Sequence, residues 1–111
     1  MRTIMVLGCG LMGPTIARDC VESKEISKVV ICDIDENKLE KTEKSIANPK
    51  LETVKLSVTD HNGLVEGLRG FDVVVNATAS KFALGVLEAA MEAEVDVVDL
   101  SGGEYPLEGE I

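Results

Sequence analysis

Residues 3–13 read Thr-Ile-Met-Val-Leu-Gly-Cys-Gly-Leu-Met-Gly. The apolar run that opens this stretch is typical of a short strand buried on both faces, and it ends at Gly8. A helical spacing of apolar residues begins at Leu11. Gly8, Gly10 and Gly13 therefore form a G-x-G-x-x-G loop between a buried strand and a helix, which is the context in which this spacing is informative.

Each glycine of the loop has a separate expected role. Gly8 permits the tight turn, Gly10 leaves room for a pyrophosphate, and Gly13 lets the helix pack close to the strand. The free amides and the positive dipole end at the helix start then face the phosphates. We expect Leu11 and Met12 to belong to the same dinucleotide-binding segment. The alternative is a plain strand-to-helix turn.

An acidic residue completes the pattern. Residues 28–33 form a second apolar strand, and Asp33 ends it twenty residues after Gly13. A carboxylate at this position accepts hydrogen bonds from the adenosine ribose, and we include the adjacent Ile34 in the same contact. Asp33 as a helix N-cap is the alternative. Because strand, glycines, helix, strand and acid are all in register, the dinucleotide interpretation is favoured.

The rest of the chain continues this alternation of elements. Helices are predicted at residues 11 to about 24, 36–47, 61–69 and 80 or 81 to 93, and further strands at 51–58, 71–76 and 95–100. Alternating strands and helices imply parallel strands with right-handed crossovers. We therefore predict an α/β fold, a doubly wound parallel sheet of the Rossmann type with strand order 3-2-1-4-5, in one domain over residues 1–111.

Composition excludes several classes of protein. Lys and Arg number 11 against 20 Asp and Glu, a net charge of −9, which argues against a nucleic-acid partner. No apolar stretch approaches the ~18 residues that a membrane span requires. Cys9, Cys20 and Cys32 lack metal or disulfide spacing, so we expect no metal site and a cytoplasmic location. The adjacent helix start favours a lowered pKa for the Cys9 thiol. His61 is expected to open a surface helix rather than to shuttle protons.

Two other kinds of nucleotide-binding domain share part of the pattern. An S-adenosylmethionine-binding domain also begins with a strand and a glycine loop, but Gly13 at the start of a long helix favours a dinucleotide. A regulatory nucleotide-binding module of a potassium transporter shares the glycine loop and the acids after strands two and three. Both alternatives remain open at this point.

Five segments carry a family resemblance: residues 6–13 (VLGCGLMG), 31–33 (ICD), 59–60 (TD), 72–78 (DVVVNAT) and 97–102 (VVDLSG). In these segments, the last two above all, the chain resembles the N-terminal NAD(P)-binding domain of the saccharopine dehydrogenase and lysine dehydrogenase family. The likeness extends over nearly the whole chain.

The resemblance implies an activity and further site residues. Such enzymes oxidise the C–N bond of an amino acid or its adduct and pass a hydride to nicotinamide. They use a second, substrate-binding domain, so the chain would be an N-terminal fragment of a longer two-domain enzyme. The resemblance implies Asp60 near the adenine, and Ala77 and Thr78 near the nicotinamide side. The alternative for Asp60 is a helix cap.

The residues after strand two favour NAD over NADP. Asp33 would oppose a 2′-phosphate, Asp35 and Glu36 follow it, and an NADP site usually supplies an Arg that this loop lacks. Lys38 and Lys41 are the nearest cations along the sequence. The expected partners are thus NAD, a small amino-acid substrate in the full-length enzyme, and a second copy in a homodimer, with no nucleic acid and no membrane.

Overall fold

The computed structural model describes residues 2–10 and 12–100 of the chain. Over these residues strands and helices alternate as the sequence predicts. In chain order they are β1 Arg2–Leu7, α1 Gly13–Val21, β2 Ile26–Asp33, α2 Glu36–Ile46, β3 Leu51–Lys55, α3 His61–Leu68, β4 Val73–Asn76, α4 Ala83–Ala93 and β5 Asp96–Asp99. A 3-10 turn at Ser80–Phe82 precedes α4.

The five strands form one parallel sheet in the order β3-β2-β1-β4-β5. This confirms the predicted fold class and strand order. The carboxyl ends of the strands finish side by side, since Leu7 of β1 pairs with Cys32 of β2 and with Asn76 of β4. Asp33 at the end of β2 pairs with Lys55 at the end of β3. The segments that leave these strands therefore start from one edge of the sheet.

Helices cover both faces of the sheet, and the central strands contribute alternate side chains to each side. Met5 and Leu7 of β1 pack with α3 and α4, whereas Ile4 and Val6 pack with α1 and α2. Side chains of β2 divide in the same way. A strand buried on both faces carries apolar side chains on each face, which explains the continuous apolar runs in the sequence.

Several element bounds differ from the prediction. Helix α4 begins at Ala83 rather than at 80 or 81, because a 3-10 turn occupies Ser80–Phe82, and β2 and β4 begin at Ile26 and Val73 rather than at 28 and 71.

Strand β3 ends at Lys55 rather than at 58, although the apolar alternation continues through Leu56 and Val58. Those two side chains pack against the α3 and α4 core from outside the sheet. Helix α1 spans Gly13–Val21 rather than 11 to about 24, with Met12 as its N-cap.

Candidate functional site

A cleft of about 740 Å³ opens at the carboxyl edge of the sheet. Its position follows from the topology: the elements after β1 and β4 lie on opposite faces, and this switch of direction leaves a crevice between them. The lining residues are Gly8, Gly10, Met12, Cys32, Asp33, Ile34, Leu56, Ser57, Val58, Thr59, Ala77, Thr78, Ala79, Phe82 and Leu100.

The three glycines of the loop meet different surroundings. Gly8 has a φ of 105°, and a Cβ there would lie 2.8 Å from the carbonyl oxygen of Ala77. A Cβ on Gly13 would overlap the carbonyl oxygen of Gly8. A Cβ on Gly10 would meet nothing within 4 Å. The φ of Gly8 is that of a turn, and Gly13 allows α1 to pack close to the end of β1, both as the sequence predicts, whereas Gly10 leaves space in the open cleft.

The carboxylate of Asp33 fixes the glycine loop to the end of β2. Its Oδ2 accepts a hydrogen bond of 2.8 Å from the Cys9 amide, and its Oδ1 accepts one of 2.8 Å from the Asp35 amide. The N-cap of α2 is Asp35, whose Oδ1 accepts from the amides of Asn37 and Lys38. The alternative prediction of Asp33 as the helix cap is therefore wrong.

The thiol of Cys9 is buried and packs with the apolar side chains beneath α1 and α2. Burial raises its pKa, and a hydrogen bond with the Thr42 side chain opposes that rise only in part. The predicted lowering of this pKa is wrong because the thiol is buried, and desolvation is the largest influence on it. Burial also raises the pKa of Cys32 to about 12, with Cys9 and Asp33 adding to the shift. All three thiols of the chain are free.

Asn76 holds the loop that follows β4. Its side chain is fully buried, and its Oδ1 accepts hydrogen bonds from the Thr78 amide at 3.2 Å and the Thr78 hydroxyl at 2.6 Å. The Ala77 amide donates to the Leu7 carbonyl oxygen at 2.9 Å. These bonds turn the chain so that Ala77 and Thr78 line the cleft, on the side opposite Asp33.

The remaining predicted site residues are divided between the cleft and other places. Met12 and Ile34 line the cleft and are 53% and 62% exposed, so each leaves apolar surface available to a ligand. Asp60 does not line it; this residue caps α3 by accepting from the Gly63 amide at 3.1 Å. A cofactor contact of Asp60 stays a prediction. Leu11 lies outside the described residues.

His61 lies on the surface, as expected. Its Nε2 is 2.9 Å from Glu92 Oε2, and this contact joins α3 to α4. Within residues 2–10 and 12–100 no cluster of His, Cys, Asp and Glu is placed to hold a metal ion. Over the same residues no helix has the length and apolar character needed to cross a membrane.

One wall of the cleft and the lysine at the end of β3 are not among the residues predicted from the sequence. Leu56, Ser57, Val58 and Thr59 line the cleft because the chain leaves the sheet after Lys55. The polar residues at 57 and 59, just before a helix cap, were the available signal. Lys55 could not be predicted, because its place opposite Asp33 depends on the register between β2 and β3.

Comparison with known proteins gives one family and several relatives. The family model described as the saccharopine dehydrogenase NADP binding domain matches residues 4–109. Carboxyaminopropylagmatine dehydrogenase from Synechocystis sp. is 25% identical over 108 residues, which are 96% of this chain and 27% of that protein. The chain thus spans about a quarter of the length of this relative.

Solved structures share the fold. Saccharopine dehydrogenase (L-Glu forming) from Saccharomyces cerevisiae superposes with a TM-score of 0.79 and 21% identity, over 89% of this chain and 21% of that one. A structure of AtPrR2 with NADP+ and (+)pinoresinol gives a TM-score of 0.70 and 20% identity, over 86% of this chain and 34% of that one.

Proposed function

The chain belongs to the saccharopine dehydrogenase NADP-binding domain family, and on that premise we propose that it is the dinucleotide-binding domain of an oxidoreductase acting on the C–N bond of an amino acid or its adduct. One observation carries the proposal. The cleft at the sheet edge joins a glycine loop with open space at Gly10 to a fixed carboxylate at Asp33. Family membership confirms the resemblance and does not favour the transporter or S-adenosylmethionine alternatives.

The cleft residues fit the parts of a dinucleotide. Backbone at Gly10 and the amides of Gly13 and Thr15 at the start of α1 suit a pyrophosphate, because a Cβ at Gly10 would meet nothing within 4 Å and this end of the helix dipole is positive. Pro14 between them has no amide to donate. Each oxygen of Asp33 already accepts one amide and retains a further acceptor site for a ribose hydroxyl. Exposed apolar surface at Ile34, beside Leu56 and Val58, suits the adenine.

The other end of the cleft suits the nicotinamide half. Ala77 and Thr78 stand across from Asp33, where the buried Asn76 fixes their backbone. A bound nicotinamide supplies the hydride acceptor; the residues of this chain bind and orient it. We propose NAD as the preferred dinucleotide, on the charge of Asp33, Asp35 and Glu36, although the family description names NADP.

Calorimetric titration tests the proposal directly. The 111-residue chain is titrated separately with NAD, NADP and S-adenosylmethionine. We expect saturable heats with a dinucleotide and none with S-adenosylmethionine. Binding of S-adenosylmethionine alone, or of none of the three, rejects the proposed function.

We also propose a cytoplasmic location and a place in a longer enzyme. The three free thiols, two of them buried, suit a reducing compartment. In the longer enzyme we expect a small amino-acid substrate and homodimer formation. Sedimentation of the full-length protein tests the homodimer.

A further inference from the structure

Lys55 and Glu36 meet at the end of β3 and the start of α2, and Leu56 and Ile34, which are close to them in the chain, line the cleft. Lys55 is the last residue of β3 and pairs in the sheet with Asp33. Its Nζ lies 2.9 Å from Oε2 of Glu36, the first residue of α2. The Leu56 amide donates to the Asp33 carbonyl oxygen at 3.1 Å, which ties the ends of β2 and β3 together. A lysine is thus held on the strand beside the residue whose carboxylate is proposed to bind the adenosine ribose.

The position matters because NAD and NADP differ only by a phosphate on that ribose. A 2′-phosphate needs a cationic partner, and it is repelled by carboxylates. Lys55 is the cation that pairs in the sheet with Asp33, and its charge is already paired with Glu36. Both side chains of the pair are more than half exposed, so the pair contributes little to folding and its change leaves the fold intact.

We infer that Lys55 and Glu36 form a selectivity pair, in which Glu36 withholds Lys55 from the 2′-phosphate and thereby disfavours NADP. The inference rests on the proposed function, because it assumes that the adenosine ribose lies at Asp33. It gives each residue a distinct role. Lys55 is the latent phosphate-binding residue, and Glu36 is the residue that blocks it.

Three variants separate the two roles. Glu36→Gln removes the partner of Lys55 and leaves its charge free. The double variant, Glu36→Gln with Lys55→Met, removes that charge as well. Glu40→Gln is the matched control. Glu40 also lies on α2 and is also paired with a lysine, Lys44 at 3.8 Å, so its change removes the same charge from the same helix. Affinities are measured by calorimetry for NAD, NADP, 2′,5′-ADP and 5′-AMP.

We expect Glu36→Gln to bind NADP and 2′,5′-ADP at least fivefold more tightly than the parent. Its affinities for NAD and 5′-AMP stay within twofold, because these ligands lack the 2′-phosphate. The double variant loses the gain, and Glu40→Gln shows none. This pattern of affinities supports the roles proposed for Lys55 and Glu36.

Other patterns overturn the inference. If the double variant still binds NADP more tightly than the parent, the tighter binding comes from the lost negative charge or from Lys38 and not from Lys55. No gain in Glu36→Gln, with NAD binding intact, shows that Lys55 does not reach the phosphate. A parent that binds no dinucleotide at all instead rejects the proposed function, a result distinct from both.

Discussion

Asp33 ties the end of β2 to the glycine loop, 24 positions earlier in the sequence. Its carboxylate bonds the amide of Cys9 in the glycine loop and the amide of Asp35 before α2. These bonds orient the carboxylate before any ligand arrives. A ribose then meets acceptors that are already in place, so little ordering has to accompany binding.

Replacing Asp33 by Ser tests the source of the cofactor preference. We expect the parent to favour NAD over NADP by at least tenfold, because a 2′-phosphate would face the carboxylate. Asp33→Ser should lose most of this preference for NAD. Asp19→Ser, which removes a carboxylate from the exposed side of α1, is the control and should keep it. NADP binding by the parent that equals or exceeds NAD binding contradicts the proposal.

Cys32 predicts a pH dependence of stability. Its pKa is about 12 in the folded chain and near 9.0 in the unfolded chain. Between these values the unfolded state has released the proton and the folded state has kept it. The unfolding free energy therefore falls as pH rises from about 9 to 12, by at most about 1.4 kcal/mol per unit, and this contribution is constant below 9.

The variant Cys32→Ala isolates that effect. Urea unfolding at pH 8 and pH 10 should show a smaller alkaline loss in the variant than in the parent, by about 1 kcal/mol. The cavity left by the thiol lowers stability equally at both pH values and cancels in the comparison. Equal alkaline losses in parent and variant would show that Cys32 ionises normally.

Substitutions at neighbouring glycines of the loop should affect different properties, namely dinucleotide binding at Gly10 and stability at Gly13. Gly10→Val should leave the melting temperature nearly unchanged and abolish dinucleotide binding, because its side chain enters open cleft space. Gly13→Ala should lower stability by on the order of 3 kcal/mol, because its Cβ overlaps the Gly8 carbonyl.

Gly85→Val is the matched control for the loop, since a Cβ at Gly85 on α4 also meets open space. Thermal melting and calorimetry of the three variants check the prediction. Gly85→Val should keep dinucleotide binding. If Gly10→Val melts like the parent and still binds, the phosphates lie elsewhere.

Elements differ in how far the sequence could predict them. The loop and strand order could be predicted because buried strands, glycine spacing and alternation are local signals. The end of β3 could not, because Leu56 and Val58 keep the strand alternation while packing outside the sheet. The place of Lys55 opposite Asp33 depends on the register between β2 and β3, and no spacing along the chain encodes that register directly.

At the scale of the whole molecule, we expect the 111-residue chain to bind a dinucleotide weakly and to turn over no amino acid. It spans 27% of carboxyaminopropylagmatine dehydrogenase, and hydride transfer requires both reactants to be held together. The absorbance of reduced cofactor, followed with a panel of amino acids, should match a heat-denatured control. Sustained turnover above that control would contradict this.

The pairing of β1 with β4 has a consequence for how the chain folds. Thr3 and Asp72, 69 positions apart, share a hydrogen bond of 2.8 Å where these strands begin to run together. Closing so long a loop is entropically costly and slows folding. Gly8 follows one of these strands and Ala77 the other, so the cleft exists only after that closure. A dinucleotide bound in the cleft would therefore stabilise the completed sheet against unfolding, because the unfolded chain has no such cleft to bind it.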